Sequence, residues 1–395
     1  MPKALWLLVI GMLVNVTGSS FLWPLNAIYI HDHLGKSLSV AGLVLMLNSA
    51  ASVVGNLVGG MLYDKIGGYR SILLGIIISV ISLTGLTFWH GWPHYVYFLV
   101  LIGFGGGIVF PSMFAMAGAV WKEGGRKAFN AVYVAQNAGV AIGSALGGFV
   151  AFYSFDYIFL ANLFMYVIFL FLALFGYKNL AGNQLVQTNV LQERKTLISK
   201  NKFYALIILC SAYLLGWVCY VQWQSTIAAY TLEINITLKQ YSLLWTVNGA
   251  LIVIAQPFLQ RALRKYGEKL KGQMIVGFVI FIISFVIAGA VNEFKGFLAA
   301  MIILTVGEML VWPIVPTVAD KLAPKGREGF YQGIVNSTAT GGRMIGPVLG
   351  GLIVDLNGMN SLFYYLIALL VAALILTYIY DRPLKVMKKG NNATT

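Results

Sequence analysis

Charge is what this sequence has least of. Only 10% of its 395 residues are charged, whereas a water-soluble domain carries about a quarter. Acids are the scarcest, 13 against 27 basic residues. Cysteine is nearly absent. Cys210 and Cys219 share one apolar run, and their nine-residue helical separation is about 13 Å, beyond the ~7 Å reach of a disulfide. They read as packing residues. No HExxH, Walker loop or pair of mid-run acids is present, which excludes a zinc protease, a nucleotide-driven pump and an intramembrane aspartyl protease. The four histidines, His31, His33, His90 and His94, stand at the ends of apolar runs. His31-Asp32-His33 lacks a third or fourth metal ligand. No enzyme, catalytic residue, metal or cofactor is therefore expected. The +14 net charge does not point to nucleic acid, because the basic residues lie in short loops rather than on one polar face.

Apolar runs are what is there. Hydrophobic residues make up 59% of the chain and mean hydropathy is +0.81. A helix needs roughly 20 apolar residues to cross a bilayer core. Runs of that length occupy residues 5–30, 39–62, 71–89, 95–120, 130–153, 157–177, 204–232, 240–260, 273–291, 297–319, 329–354 and 361–380. Runs of this length imply helices, since barrel strands are about half as long and alternate. The first run exceeds the ~7–15 residues of a signal-peptide core and lacks a clear small-residue cleavage site, so it reads as a retained span. The expected fold is an all-α membrane protein of twelve transmembrane helices.

With twelve spans both termini share a side. Loops and tails on that side hold 23 lysines and arginines, against Lys36, Lys239 and Lys295 on the other, with Arg343 inside a span. The positive-inside rule places that side in the cytoplasm, so a multi-pass protein of the cell (inner) membrane with both termini cytoplasmic is expected.

The longest polar stretch, 178–203, divides the chain into an N-terminal half, 1–177, and a C-terminal half, 204–395, which ends in a short cytoplasmic tail. The halves echo one another. Arg126-Lys-Ala-Phe and Gly143-Ser-Ala-Leu-Gly147-Gly148 in the first correspond to Arg327-Glu-Gly-Phe and Gly346-Pro-Val-Leu-Gly350-Gly351 in the second. Two pseudo-symmetric six-helix halves are a signature of secondary transporters.

Gly60-Met-Leu-Tyr-Asp64-Lys65-Ile-Gly67-Gly-Tyr-Arg70 resembles the loop motif between spans two and three of the major facilitator superfamily. Gly68 and Tyr69 replace its usual basic pair, and the second-half copy near Arg264-Lys265-Tyr266-Gly267 has lost the acid. Asp64 falls on the side where span eleven begins, and a carboxylate favours a helix N-terminus. Gly60, Asp64, Gly67 and Arg70 are thus candidates for a conformational switch that latches the halves in one state; the other reading of Asp64 is a solvated turn acid. Gly139, Gly143 and Gly147 in span five resemble the fifth-span motif of the drug:proton antiporter branch, with Ser144 where that motif has proline. They join the switch candidates, although four-residue glycine spacing equally serves close helix packing. That branch's arginine in span four is replaced by Leu99. In span ten, Gly307-Glu308-Met-Leu-Val-Trp-Pro313, with Ala319-Asp-Lys-Leu-Ala-Pro324, Arg327 and Tyr331-Gln-Gly333, looks like the LmrP/MdtH-type multidrug exporters. In that group the span-ten glutamate is linked to substrate and proton handling. Their second acid, in span five, maps to Val132.

Glu308 is the one acid in the middle of a span, about eleven residues from each end. A midplane carboxylate is costly and usually functional, and withdrawal from water favours its protonated form. Glu308 is therefore the candidate proton-coupling residue. Arg343, in span eleven, is the basic residue at similar depth. It either pairs with Glu308 or attracts an anionic substrate. In the superfamily, spans one, four, seven and ten line the central cavity. Span one presents Asn15, Ser19, Trp23 and Asn26 at helical spacing, and span seven presents Tyr213, Trp217, Tyr220 and Gln224. Trp312 lies one turn from Glu308, and span eight adds Trp245 and Asn248. Aromatic faces with a few amides suit amphipathic or cationic ligands; interhelical packing is the other reading. The resulting expectation is a monomeric transporter whose partners are a small-molecule substrate, protons and the lipid bilayer. Its function is proton-coupled export of hydrophobic or cationic drugs or lipid-like compounds by alternating access. The alternative is a proton-coupled transporter of a specific, possibly anionic, metabolite.

Overall fold

A computed structural model describes residues 1–22, 25–26, 29–36, 38–180, 200–263 and 269–384. The helices of the first half are α1 (Lys3–Leu22), α2 (Leu38–Ile66), α3 (Gly68–Phe88), α4 (His94–Val120), α5 (Arg126–Tyr153) and α6 (Phe155–Gly176). The second half contains α7a (Lys200–Tyr220) and α7b (Thr226–Glu233), α8 (Leu238–Leu263), α9 (Leu270–Ala290), α10a (Phe294–Val311) and α10b (Ile314–Leu322), α11 (Glu328–Asn357) and α12 (Met359–Ile379). Counting the broken pairs once each gives twelve crossings, six in each half, and no strand occurs among the described residues. The Arg264–Gly267 segment and most of the central loop, 181–199, lie outside the described residues.

Ten of the crossings are long and apolar enough to span a membrane. The other two are α5 and α11, which hold the same place in each half. Polar side chains lower their hydropathy: Asn130, Gln136 and Asn137 in α5, and Gln332, Asn336 and Arg343 in α11. Large apolar side chains such as Phe88, Phe175, Leu356 and Tyr364 are exposed, as a lipid-facing surface requires and a water-facing one avoids.

Three expected spans depart from a single helix. The first is described as α-helix over Lys3–Leu22 and has a π-helical turn at Tyr29–His33. The seventh passes through a 3-10 turn, Val221–Gln224, before α7b. The tenth breaks at Trp312-Pro313, because proline brings no N–H to the carbonyl four residues back and its ring crowds that turn.

The chain forms two compact units, Met1–Lys195 with Pro324–Thr340, and Thr196–Ala323 with Gly341–Thr395. The first part of α11 therefore belongs with the first unit and the remainder with the second. Between helices surrounded by lipid, apolar transfer supplies no drive, so close backbone approach has to hold them. In the first unit α5 lies on α1 through Gly139, Gly143 and Gly147; a Cβ at Gly143 would stand 2.3 Å from the Thr17 carbonyl oxygen. The second unit repeats the device with α11 on α7a, where Cβ atoms at Gly342 and Gly346 would lie 3.1 Å from the carbonyl oxygens of Leu214 and Val218. The turns that lead into α5 and α11 match too. Gly125 has φ 46° and Gly326 φ 78°, a left-handed backbone that glycine adopts without a Cβ penalty.

Candidate functional site

The candidate site lies in the second unit and begins with the two helix breaks. Pro313 leaves the Met309 carbonyl without its helical donor, and Gln256 of α8 reaches it through Nε2 at 3.4 Å. In α7 the side chain of Gln222 donates to the Val218 carbonyl at 3.0 Å and to the Gly346 carbonyl at 2.7 Å. Inside a membrane a carbonyl freed like that of Met309 needs a partner from the protein. Both breaks therefore occur where a buried amide stands ready.

Glu308 is only 3% exposed. Its Oε2 accepts a hydrogen bond from the Tyr220 hydroxyl of α7a at 3.0 Å and another from Asn248 Nδ2 of α8 at 2.9 Å. Asn248 also donates to the Thr305 hydroxyl at 2.9 Å, which in turn donates to the Met301 carbonyl at 2.7 Å. One carboxyl group thus ties α7a, α8 and α10a together. Both donors meet the same oxygen, so protonation turns their charged acceptor into a neutral one and weakens both hydrogen bonds.

Trp312 stands one turn beyond Glu308 at the centre of an aromatic cluster. Its indole stacks on Trp217 at 4.7 Å and meets Tyr213 at 5.3 Å, Tyr220 at 5.6 Å and Phe281 at 5.3 Å. Gly216 makes room, since a Cβ there would stand 3.3 Å from the Trp312 ring. Trp312 Nε1 is buried with no hydrogen-bond partner among the described residues. Trp245 meets the Tyr220 ring edge-on at 6.1 Å and donates to the Tyr241 hydroxyl at 2.9 Å. The Arg343 guanidinium lies 4.9 Å over the Trp217 ring, a cation–π contact, and the residue retains exposed surface.

Glu308, Arg343, Tyr213, Trp217, Tyr220, Trp245 and Trp312 are therefore gathered around one acid. Gln224 is not, because the 3-10 turn rotates the chain after Tyr220 and leaves Gln224 exposed while Gln222 turns inward. Asn15 and Asn26 belong to the first unit. Asn15, 1% exposed, shares a face of α1 with Gly11 and Gly18, where Met165, Tyr166 and Phe169 of α6 and Tyr177 just after it press in. Asn26 accepts a hydrogen bond from the Tyr95 hydroxyl at 2.7 Å. Trp23 lies outside the described residues. Sequence reasoning missed Thr305, Tyr241, Gln256 and Phe281. Thr305 was visible as the residue one turn before Glu308; Phe281 carried no signal beyond apolarity.

The switch candidates fall in the first unit. Both carboxylate oxygens of Asp64 accept backbone N–H groups at the start of α11, from Gly329 at 2.8 Å and Phe330 at 2.9 Å. These are two of the donors that a helix N-terminus leaves unpaired. A Cβ at Gly60 would lie 2.2 Å from the Gly329 carbonyl oxygen, so only glycine admits α11 this close. Ser337 donates to the Val53 carbonyl at 3.1 Å, and Asn56 to the Thr340 hydroxyl at 3.3 Å, extending the contact along α2. Gly67, with φ 84°, separates α2 from α3. Arg70 is exposed, while Gly139, Gly143 and Gly147 serve the α1–α5 packing. His33 packs on Tyr29 and Phe155, and His90 Nε2 is 3.5 Å from Asp156. Among the described residues no cluster of three or more histidine, cysteine or acidic side chains is placed to hold a metal ion.

Comparison with known proteins places this geometry. The chain is 60% identical over 391 residues to the uncharacterized MFS-type transporter YttB of Bacillus subtilis (strain 168), covering 99% of this chain and 98% of that protein. It is 22% identical to the multidrug resistance protein MdtH of Aeromonas hydrophila, covering 89% and 87%. The human organic anion transporter MFSD10 (TETRAN) superposes with a TM-score of 0.75 at 15% identity, covering 95% of this chain and all of that one, which attests the fold. The profile of the Major Facilitator Superfamily matches residues 8–268 and 212–394. A transporter, not an enzyme, is what these kinships describe, and the chain belongs to the Major Facilitator Superfamily.

Proposed function

We propose that this multi-pass membrane transporter exports hydrophobic or cationic, drug-like or lipid-like compounds in exchange for protons. It works as a monomer in the cell (inner) membrane with both termini cytoplasmic. The observation that carries the reading is Glu308, buried in the last turn of α10a on Tyr220 and Asn248 and adjoining the Trp312 aromatic cluster. When Glu308 takes a proton, one of its oxygens becomes a donor and the Tyr220 and Asn248 contacts loosen. The aromatic cluster, tied to the same tyrosine, then changes its fit to the substrate. Proton and solute thereby compete through one hydrogen-bonded set. The Asp64 contact with the start of α11 is the latch formed in one state of the cycle and released in the other. The kinship to a multidrug resistance protein supports the substrate class.

Arg343 favours a second reading, transport of a small anionic metabolite held by its guanidinium over Trp217. Proteoliposomes decide between the two. Proton movement on adding a lipophilic cation such as tetraphenylphosphonium, lost in Glu308→Gln, supports cation export. Movement evoked by benzoate and lost in Arg343→Gln, with none for the cation, supports the anion reading and overturns the first.

A further inference from the structure

The first unit repeats the helices around Glu308, and its packing fixes which residue stands in the place of that acid. Helix α3 meets α4 at a pair of glycines, where a Cβ on Gly75 would lie 2.7 Å from the Gly105 carbonyl oxygen. Helix α9 meets α10a in the same way, a Cβ on Gly277 lying 3.1 Å from the Gly307 carbonyl oxygen. The prolines Pro111 and Pro313 then follow these glycines at equal spacing. Gly105 and Gly307 therefore hold one register. The next residue is Gly106 in the first unit and Glu308 in the second.

The amide partner is repeated as well. Asn248 of α8 donates to Thr305, just before Gly307. Asn48 of α2 lies against Gly103, which precedes Gly105 by the same interval; a Cβ on Gly103 would stand 2.5 Å from the Asn48 Nδ2. That Nδ2 donates to the Leu99 carbonyl at 2.6 Å. One repeat thus has amide and acid, the other the amide alone.

The remaining titratable groups stand elsewhere. By sequence the other twelve of the 13 acids lie between the apolar runs or at their ends, as do the four histidines. Asp64, Asp156, Asp320 and Asp355 occupy the first or last turns of their helices. A group at one face takes and returns its protons on that face, so it adds nothing to the net number carried across. Tyr213, Tyr220, Cys210, Cys219 and Arg343 do lie within spans, but phenol, thiol and guanidinium groups keep their protons at neutral pH.

We propose that one transport cycle exchanges one proton for one solute molecule. This rests on the reading of Glu308 as the proton carrier and adds the count. The count decides which gradient drives which cargo. A monovalent cation leaves as a proton enters, no net charge crosses, and the pH difference alone supplies the drive. A neutral solute leaving on the same acid brings one positive charge inward, so the membrane potential helps. A divalent cation carries one charge outward, and the potential opposes it.

The test uses the full-length protein in proteoliposomes, with ethidium as the monovalent probe and protein-free vesicles as the blank. Valinomycin and potassium set the membrane potential. A pH difference of about one unit is imposed, and the ethidium gradient at which net movement stops is measured. One-for-one exchange balances at an about tenfold ethidium gradient, and at the same gradient whether the potential is zero or inside negative. Two protons per cation balance at about a hundredfold at zero potential, and the balance moves when the potential is applied. Either of those results overturns the count and leaves Glu308 as the carrier. Ethidium movement that ignores the pH difference, or none beyond the blank, overturns the count together with the reading on which it rests.

Discussion

Trp217 and Trp312 stack with ring centroids 4.7 Å apart and planes 6° from parallel. One belongs to α7a and the other to the break in α10, so the pair fastens together the two helices that supply Tyr220 and Glu308. Arg343 lies over the ring of Trp217, so a cation from α11 is held against the same stack.

This stack should be measurable as a unit. A double-mutant cycle of Trp217→Leu and Trp312→Leu is expected to give a coupling of about 0.5–1.5 kcal/mol beyond the separate losses. Near-ultraviolet circular dichroism should lose the same paired-indole signal in either single variant. Strictly additive changes in Tm, with a signal that survives one substitution, would show that the two rings act independently.

Glu308→Gln keeps an oxygen that can accept from both Tyr220 and Asn248. Stability should stay within about 1 kcal/mol of wild type, while substrate-evoked proton movement disappears. Asn248→Leu is the complement. It removes the donor shared by Glu308 and Thr305 and should cost about 1–3 kcal/mol. Wild-type proton movement in Glu308→Gln proteoliposomes would remove the acid from the mechanism.

The contact between Asp64 and α11 predicts local protection from hydrogen exchange. Asp64→Asn removes the charge that faces a helix N-terminus, a loss of about 0.3–1 kcal/mol. Gly60→Ala drives a methyl group into the Gly329 carbonyl. In both variants the amides of Gly329 and Phe330 should exchange faster, while those around Glu308 keep their wild-type rates. Unchanged protection at Gly329 and Phe330 would mean that another contact holds this turn.

The glycine rows predict unequal sensitivity. A Cβ at Gly143 meets the backbone oxygen of Thr17 at 2.3 Å, whereas at Gly346 the first obstacle is a side-chain methyl of Val221. A backbone oxygen yields only if the two helices move apart, but a methyl group can turn. Gly143→Ala should therefore lower Tm and yield more than Gly346→Ala. The reverse order would show that α1 and α5 separate more readily than α7a and α11.

The twelve helices, the twofold repeat and the singular position of Glu308 were legible because each rests on a local rule: run length, loop charge, or one acid in an apolar segment. The stripe Tyr213, Trp217, Tyr220 was legible for the same reason, since α7a stays regular through Tyr220. Gln224 was misread because periodicity was extended across a 3-10 turn that no proline or glycine announces. Asn15 shows a different limit. Spacing assigns a residue to a face of α1 but does not say which neighbour covers that face, and here it is α6. Thr305 and Phe281 become visible only when α8, α9 and α10a are laid side by side.

The break at Pro313 bears on how α10 bends. The Met309 carbonyl is held there by a side-chain amide at 3.4 Å instead of a rung of the backbone ladder. Bending at this joint stretches a side-chain contact in place of a backbone rung. α10 can flex as two stiff rods on a compliant joint, with α10b tilting while Glu308 keeps its register against Tyr220 and Asn248.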